Sequence, residues 1–254
     1  MRCDRYEVLR VVPFVLSDGG VYNNREIYFT STDAALVSHF RTVATVAFGY
    51  GGYVVKRSNG AYVVKIKGYD YFKCLAEVMP DILYKNDKGR AIRLPDELYS
   101  DKDLAKWFIK VYASCDGSVS VMLGRRGNIT FYVRRVSITS KNPYLRRQIG
   151  DLLKALSFAP RDDGDKHIYL SRREDIVRYA EEIRFLEQVK VTKNSKRFRG
   201  MEKNQLLDLV VRSYGNPHLL DPFFPPSSFS HNAGLARAQR GLDTPVVPAV
   251  NDAG

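Results

Sequence analysis

The chain has 254 residues, of which 44% are hydrophobic and 27% charged, enough to build one large core or two equivalent ones. Lysine and arginine number 40 against 28 acidic residues, and the formal net charge of +12 favours a polyanionic partner, with nucleic acid as the first candidate. No apolar run approaches ~18 residues, which argues against a membrane protein, and the unclustered Cys3, Cys74 and Cys115 fit the reduced thiols of a cytoplasmic protein better than a disulfide framework.

The first half of the chain predicts an alternation of helices and strands, read from the spacing of apolar residues and from turn residues. The period of two is clear at residues 26–31, where Ile27 and Phe29 share one face. Residues 80–100 are predicted to be a linker. The predicted elements are a helix at residues 7–17 interrupted by Pro13, a strand at 26–31, a helix at 33–47, strands at 53–57 and 62–67 around a turn at 58–60, and a helix at 69–78.

The second half predicts the same order. Its elements are a helix at residues 101–116, strands at 118–123 and 131–139 around a turn at 124–128, a helix at 143–156, a hairpin around 162–165 with a return strand at 166–170, and helices at 173–186 and 202–213. We therefore expect a first repeat with its linker at residues 1–99, a second repeat at residues 100–214, and a Pro-rich C-terminal tail at residues 215–254. The tail is expected to be mobile, although Phe223, Phe224 and Phe229 are apolar enough to dock.

One acidic motif occurs twice, at the end of an apolar helix in each half. The first copy ends in Asp18-Gly19 and the second in Asp116-Gly117. A glycine at this place is typical of a left-handed helix cap, and the unpaired carbonyls at a helix end attract cations. If the two helices pack side by side, the two carboxylates meet among carbonyl and water oxygens, a ligand set that suits Mg²⁺. A single copy would indicate only a turn after a buried helix, whereas the repetition favours a paired site.

The two motifs also carry a family resemblance. They read LSDGGVY at residues 16–22 and WFIKVYASCDG at residues 107–117. On these residues the chain resembles the monomeric, two-repeat LAGLIDADG homing endonucleases of the kind encoded in archaeal introns, over residues 6–213. Where that family usually has a small residue for close helix contact, this chain has Pro13 and Val111. The resemblance therefore implies a kinked or more widely spaced helix interface.

The resemblance implies an α+β fold of two pseudo-symmetric αββαββα repeats. In each repeat a curved antiparallel sheet would form half of a DNA-binding saddle, with the Asp-ending helices at the central interface. The implied function is site-specific cleavage of double-stranded DNA at a long asymmetric target, leaving staggered 3′ overhangs. It would use Mg²⁺, with Mn²⁺ as a substitute, and no small-molecule cofactor. The alternatives are a cleavage-inactive LAGLIDADG nucleic-acid-binding protein or RNA-splicing maturase, and a basic structural protein with a duplicated core.

The resemblance also assigns roles at the centre. Asp18 and Asp116 would be catalytic and hold the metal ions, with Ser17 and Cys115 completing the metal site. Lys67 ends the last strand of the first repeat, where the family has a basic residue that positions the attacking water. Its counterpart in the second repeat would be Ser171 or Arg172, which would make the two halves of the site asymmetric. The alternative for Lys67 is an ordinary phosphate-contacting or solvated lysine.

Candidate DNA-binding residues follow from the period of two on the predicted strands, because a β-ribbon fits the major groove and alternate side chains then face the bases. The alternative is that these residues form a solvated sheet face, which is normal for antiparallel sheets. A basic run near residue 196 adds a possible phosphate contact. The candidates on the predicted strands and turns are Tyr28, Thr30, Lys56, Arg57, Lys65, Arg125, Arg126, Arg134, Arg135 and Ser137, and the basic run adds Lys196. The resemblance adds Ser31 and Ser140, at positions where the family often has polar residues beside the metals.

Overall fold

The computed structural model describes residues 3–85, 87, 89–191 and 195–225, and it contains two four-stranded antiparallel sheets with helices packed on one face of each. The first sheet belongs to the first half of the chain. Its elements are α1 (Arg5–Leu16), β1 (Gly19–Tyr22), β2 (Glu26–Ser31), α2 (Ala34–Phe48), β3 (Tyr53–Lys56), β4 (Tyr62–Lys67) and α3 (Tyr69–Val78), followed by a 3₁₀ helix (Pro80–Tyr84) and the short α4 (Glu97–Ser100).

The second half repeats this order and adds a C-terminal extension. Its elements are α5 (Lys102–Asp116), β5 (Gly117–Arg126), β6 (Ile129–Thr139), α6 (Pro143–Ala155), β7 (Arg161–Asp162), β8 (His167–Leu170) and α7 (Arg173–Glu182), then α8 (Lys203–Arg212) and a 3₁₀ helix (Pro217–Phe223). The expected α+β fold of two related repeats is confirmed. The strand orders β1-β2-β4-β3 and β5-β6-β8-β7 are the same in both sheets.

Three elements differ from the sequence prediction. Strand β1, with the sequence GGVY, carries no alternating pattern long enough to identify it, yet it pairs with β2 along its whole length. The predicted linker contains the 3₁₀ helix Pro80–Tyr84 and α4, whose Ile82 and Leu98 are buried. Helix α7 ends at Glu182 rather than near residue 186. Pairing and burial in the rest of the fold set the first two elements, whereas α7 ends where Arg184 has a left-handed backbone with φ 61° and its N–H donates to the Tyr179 carbonyl.

Polar side chains fix where the helices begin. The Asp4 carboxylate accepts hydrogen bonds from the backbone N–H groups of the first turn of α1, and Asp101 does the same for α5. Asn142 caps α6 and is followed by Pro143 at the first helical position. These caps satisfy donors that would otherwise lack partners at a helix start, and so define where each helix enters the core.

Helices α1 and α5 run side by side through the middle of the molecule. Near their starts, Trp107 Nε1 donates to the Arg10 carbonyl over 3.0 Å, and at their ends Ser17 hydrogen-bonds Cys115. Because both contacts occur in the same chain order, the two helices are parallel and their C-terminal ends lie together. Pro13 is buried inside α1 without ending it, so the predicted interruption of this helix is wrong.

The C-terminal extension packs against the second sheet. Phe224 is only 1% exposed, its ring centroid lies 5.3 Å from that of Tyr132, and the Phe223 ring packs on Phe198. The start of the predicted tail is therefore ordered by aromatic contacts up to residue 225. Phe229 lies outside the described residues.

Two further observations bear on the expectations from composition. Cys3 and Cys74 are joined by a disulfide that links the N-terminus to α3, so the expectation of three free thiols is wrong and Cys115 alone is free among the described cysteines.

Within the described part of the chain, no helix has both the length and the apolar character needed to cross a bilayer.

Candidate active site and nucleic-acid interface

Asp18 and Asp116 lie together where α1 and α5 end. Asp116 is the last residue of α5, whereas Asp18 occupies the turn between α1 and β1. The backbone carbonyl of Asp18 accepts a hydrogen bond from the Thr30 N–H over 3.1 Å, which ties the turn to the first sheet. The parallel helix pair thus brings one carboxylate from each half of the chain to the boundary between the two sheets.

The glycines that follow the acids are required by close approach rather than by a left-handed cap. A Cβ on Gly117 would lie 2.5 Å from the Ala113 carbonyl oxygen, and one on Gly19 would lie 2.6 Å from the Tyr28 carbonyl oxygen. Gly117 has an extended backbone with φ −125°, which any residue adopts. The predicted left-handed cap is therefore wrong, and the repeated Asp-Gly pair reflects a strand that starts directly against its helix.

The two carboxyl groups are partly removed from water and repel each other. Burial and then the negative charge of Asp18 raise the pKa of Asp116 to about 6, and burial also raises the pKa of Asp18. The positive charges of Lys85 and Lys203 act in the opposite direction at both acids. Two carboxylates held close in a partly dry site favour a cation between them.

Lys85 holds the end of α1. Its Nζ donates to the carbonyl oxygens of Val15 and Ser17, each over 2.8 Å, and also to Gly19. Burial lowers the pKa of Lys85 to about 8, while the nearby Asp116 and Asp18 charges raise it. A lysine therefore occupies the negative end of the helix dipole beside the acids.

Lys203 plays the same part at the end of α5. Its Nζ donates to the carbonyl oxygens of Ser114 over 2.6 Å and Gly117 over 2.7 Å. Burial lowers its pKa to about 8. The prediction that these helix ends attract cations is met by two buried lysines, one from each half of the chain.

These two lysines were absent from the sequence prediction. Lys85 lies in the predicted linker, and Lys203 begins α8, so neither forms part of a local motif with an acid. The only signal in the sequence is that each follows the last strand and helix of its repeat. Their position beside the acids depends on the tertiary fold.

Ser17 and Cys115 are engaged in other contacts. The Ser17 hydroxyl donates to the Pro13 carbonyl over 2.8 Å, and its own carbonyl accepts from Lys85. Burial raises the pKa of the Cys115 thiol, which disfavours the thiolate that binds metals. Across the described residues no group of three or more His, Cys, Asp or Glu side chains is placed to hold a metal. The carboxylates at this centre are those of Asp18 and Asp116.

Lys67 is not brought to the acids. Lys67 pairs with Glu26 at the start of β2, whereas the residue that contacts Asp18 is Thr30, near the other end of that strand. The Lys67 ammonium lies 5.4 Å from the centroid of the Tyr53 ring. Four strand positions, about 13 Å, separate the two ends. Ser171 and Arg172 follow β8 in the corresponding place of the second half. The lysines whose charges act on the acids are Lys85 and Lys203 at both carboxyl groups and Lys141 at Asp116.

The face of the first sheet that points away from the helices carries three of the predicted DNA-binding residues. Register places Tyr28 and Lys65 opposite each other on this outward face, with Thr30 next along β2. Lys65 is ion-paired with Glu26 over 2.8 Å. Lys56 pairs with Tyr62 on the opposite face, so it does not share the outward surface.

The outward face of the second sheet carries a different set. Arg126, Arg135 and Ser137 point outward, since their strand neighbours Val136 and Ile138 are buried on the helix side. The guanidinium of Arg135 lies 4.6 Å from the centroid of the Tyr169 ring. This face is polar next to Asp116 and remains accessible.

Arg134 and Arg125 fall on the helix side of that sheet. Arg134 Nε donates to Ser213 Oγ over 2.8 Å, and its guanidinium lies 4.6 Å from the centroid of the Tyr214 ring. It therefore ties β6 to the end of α8 and does not face a groove. Arg125 pairs with Thr130 on the same side.

Four other candidates are placed as follows. Ser31 and Ser140 are buried, the first accepting from the Asp33 N–H and the second donating to the Asn142 carbonyl, so both shape turns before helices. The backbone of Arg57 closes the β3–β4 turn. Lys196 lines a pocket of about 490 Å³ that also includes Lys203 and residues of β5. Of these four, Lys196 is the one that shares a pocket with Lys203.

Comparison with known proteins identifies the fold. Residues 103–184 match the family model described as the LAGLIDADG-like domain. A lysine-to-alanine mutant of I-SmaMI superposes with a TM-score of 0.51 at 14% identity, covering 92% of this chain and 98% of that one. The LAGLIDADG meganuclease I-AabMI bound to uncleaved DNA gives 0.51 at 12% identity, covering 93% and 99%.

A third structure is less similar. The homing endonuclease I-DmoI in complex with DNA and Mn has a TM-score of 0.47 at 13% identity and covers 70% of this chain and 96% of that one. No curated protein sequence matches the chain significantly. The two antiparallel sheets and the order of helices are those of the two-repeat LAGLIDADG homing endonuclease fold.

Proposed function

We propose that the protein is a site-specific, double-stranded DNA endonuclease of the homing type. The observation that carries the proposal is the meeting of Asp18 and Asp116, one from each repeat, at the adjoining ends of α1 and α5. An acid that recurs in both repeats and is partly withdrawn from water at one point between two sheets is costly unless it is paired or binds a cation, which favours a functional role.

The acidic centre fits a divalent metal ion. The charge of Asp18 adds to burial in raising the pKa of Asp116, so a hard cation between the two carboxylates would relieve their repulsion, and carboxylate oxygens are the ligands that Mg²⁺ prefers. When bound there, such an ion would activate a water and stabilise the charge that develops on a phosphodiester. Asp18 and Asp116 are the residues that would hold it, and Mn²⁺ would substitute.

The chain's own residues prepare this centre. Lys85 and Lys203 each hold the carbonyls at one helix end, and so fix the backbone next to each acid. The charges of both ammonium groups lower the pKa values of the two carboxyl groups, so the lysines lie close to the acids. They would therefore place positive charge where the phosphates of a bound duplex approach the acids. Buried donors that are already in position need no rearrangement during a reaction.

The outward faces of the two sheets supply the DNA-binding surface. They continue from the acidic centre in both directions and carry different side chains, with Tyr28 and Thr30 on the first sheet and Arg126 and Arg135 on the second. Because alternate strand residues read base edges, two unlike faces predict a target without internal symmetry. A single chain supplies both repeats, so we propose that it acts as a monomer.

The decisive experiment is cleavage of a defined target. The reading frame's flanking sequences, joined as they would be without the insertion, give a duplex to test with Mg²⁺, Mn²⁺, Ca²⁺ or EDTA. Mg²⁺ and Mn²⁺ should support cutting to staggered 3′ ends, while Ca²⁺, with longer and looser coordination, should permit binding with little turnover. Cleavage undiminished in EDTA contradicts the proposed metal site. Tight binding with no cutting in either Mg²⁺ or Mn²⁺ contradicts the nuclease and fits a non-cleaving nucleic-acid-binding protein or maturase.

A further inference from the structure

The outward face of the β5–β6 hairpin changes character along its length. Next to Asp116 the outward positions are polar, with Ser118 paired to Ser137 and Ser120 paired to Arg135. Farther out the same face carries exposed apolar side chains, with Arg126 opposite the outermost of them, and 41% of Met122, 45% of Phe131 and 69% of Ile129 is accessible. We call the outward residues Met122, Ile129, Phe131 and Val133 the apolar patch.

The patch is a continuous surface because of Gly124. This glycine pairs with Phe131, and a Cβ on it would lie 2.7 Å from Phe131 Cε2 and 2.8 Å from Val133 Cγ2. The missing side chain lets the Phe131 ring lie across the neighbouring strand. Phe131 and Val133 therefore occupy the space above Gly124.

The described part of the chain covers the other side of this hairpin and leaves the patch open. Tyr132 points to the helix side, where its ring packs on Phe224 and its hydroxyl donates to Asp221. The C-terminal extension therefore packs on the opposite face of the hairpin. Whatever contacts the patch must come from the side on which Ser118, Ser120 and Arg135 point outward.

We infer that the apolar patch contacts thymine C5-methyl groups in the major groove of the outer part of the second repeat's half-site. The inference rests on the proposed DNA-binding function, because the patch continues the face assigned to the duplex. In the major groove the thymine methyl is the apolar group among hydrogen-bonding base edges, and apolar side chains recognise it. The serines and Arg135 near the centre would instead read donors and acceptors.

The strand register gives the place on the DNA. Met122 lies five residues after Gly117, and Ile129 pairs with Arg126, nine residues after Gly117. A strand rises about 3.3 Å per residue, close to the rise of about 3.4 Å per base pair in B-DNA. The patch should therefore lie about five to nine base pairs outward from the base pair opposite Gly117.

Deoxyuridine tests this directly, because it keeps every hydrogen-bonding group of thymidine and lacks only the methyl. Duplexes selected by the protein from a randomised pool in Ca²⁺ should contain thymines in the outer window, and affinity should fall about fourfold for each contacted methyl removed there. Substitution next to the centre, opposite Ser118 and Ser120, should have little effect.

Protein variants complete the test. The exposed pair Met122→Ser and Ile129→Ser should bind the thymidine duplex more weakly and lose the sensitivity to deoxyuridine, with an unchanged melting temperature. Val46→Ser, at an apolar position of α2 that is 58% accessible and lies in the helix layer, is the matched control and should keep that sensitivity.

Several results would overturn the inference. If the selected duplexes bind with equal affinity whether they contain thymidine or deoxyuridine, the patch does not read methyl groups, although the DNA-binding function stands. The same holds if the double serine variant keeps full sensitivity, or if it changes only self-association of the protein. If no duplex is selected from the pool, the proposed function itself fails and this inference fails with it.

Discussion

Asp18 and Asp116 are the side chains on which the proposed chemistry depends. Asp18→Asn or Asp116→Asn removes one negative charge from the centre while leaving both outward sheet faces intact, so we expect double-strand cleavage to be abolished and DNA affinity to be nearly unchanged. Cleavage and binding are measured on the same labelled duplex in Mg²⁺ and in Ca²⁺. Preserved double-strand cutting by either single variant would refute the paired-acid assignment.

The buried lysines make a second prediction. Lys203→Met leaves the carbonyls of Ser114 and Gly117 without their donor, so we expect unfolding free energy to fall by about 1 to 3 kcal/mol. We also expect cleavage to fall by about 10² because a preorganised positive charge is lost. The control is Lys106→Met, which removes only a partly exposed pair with Glu182. A variant that is destabilised yet cleaves at the normal rate when folded would limit Lys203 to a structural role.

Two neighbouring arginines should behave differently because they lie on opposite faces of β6. Arg134→Ala loses its hydrogen bonds to Ser213 and should lower stability by about 1 to 3 kcal/mol without changing base preference. Arg135→Ala should relax preference at one or two base pairs at a cost of about 1 to 3 kcal/mol on the selected duplex. Chemical denaturation and binding to single-base variants of that duplex separate the two effects. A change of base preference in Arg134→Ala would contradict the register.

The sequence alone identified the two acids of the candidate site but not the lysines that lie beside them. Asp18 and Asp116 could be predicted because a repeated motif is visible without knowledge of the fold. Lys85 and Lys203 could not, because each reaches its helix end only after a whole repeat has folded. Lys67 was predicted from its place at a strand end, but the antiparallel register puts that end far from Asp18.

The C-terminal extension stabilises the hairpin that carries the second outward face. Phe224 is fully buried against Tyr132 and Phe198, so Phe224→Ala should destabilise the protein by about 3 to 5 kcal/mol. The matched control is Phe223→Ala, which removes a partly buried ring and should cost less. Amide exchange should accelerate first in β5 and β6. Unchanged exchange in those strands would show that the extension does not support the hairpin.

Hydrophobic periodicity predicted where the strands lie better than it predicted which residues their side chains contact. The alternation in β2 assigned Ile27 and Phe29 to the core, where both are buried. It did not identify β1, because two glycines and two other residues carry no pattern. The period of two does put the consecutive Arg134 and Arg135 on opposite faces. It could not show that Arg134 is held at the end of α8 by Ser213, which lies 79 residues away in sequence.

The chain carries a formal net charge of +12, and the DNA affinity of the proposed nuclease should therefore depend on salt. If about 6 to 10 phosphates are neutralised, affinity should fall by about 10³ to 10⁵ between about 50 and 200 mM salt. Lys196→Ala should weaken binding equally on matched and scrambled duplexes and reduce the salt slope by about 1. Lys73→Ala, on the helix layer beside Glu77, should leave both unchanged. Affinity that does not vary with salt would contradict the proposed interface.

Lys203 is far along the sequence from the end of α5 that it contacts, and this distance has a consequence for protein synthesis. The lysine stands 86 residues after Gly117 in the chain, whereas Lys85 follows Ser17 by 68. On the ribosome, Asp18 and Lys85 therefore emerge first, then Asp116, and Lys203 last of the four. A growing chain would lack its second lysine until α8 has left the exit tunnel. For the proposed nuclease, the order of translation would delay the ability to break DNA until both repeats have been made.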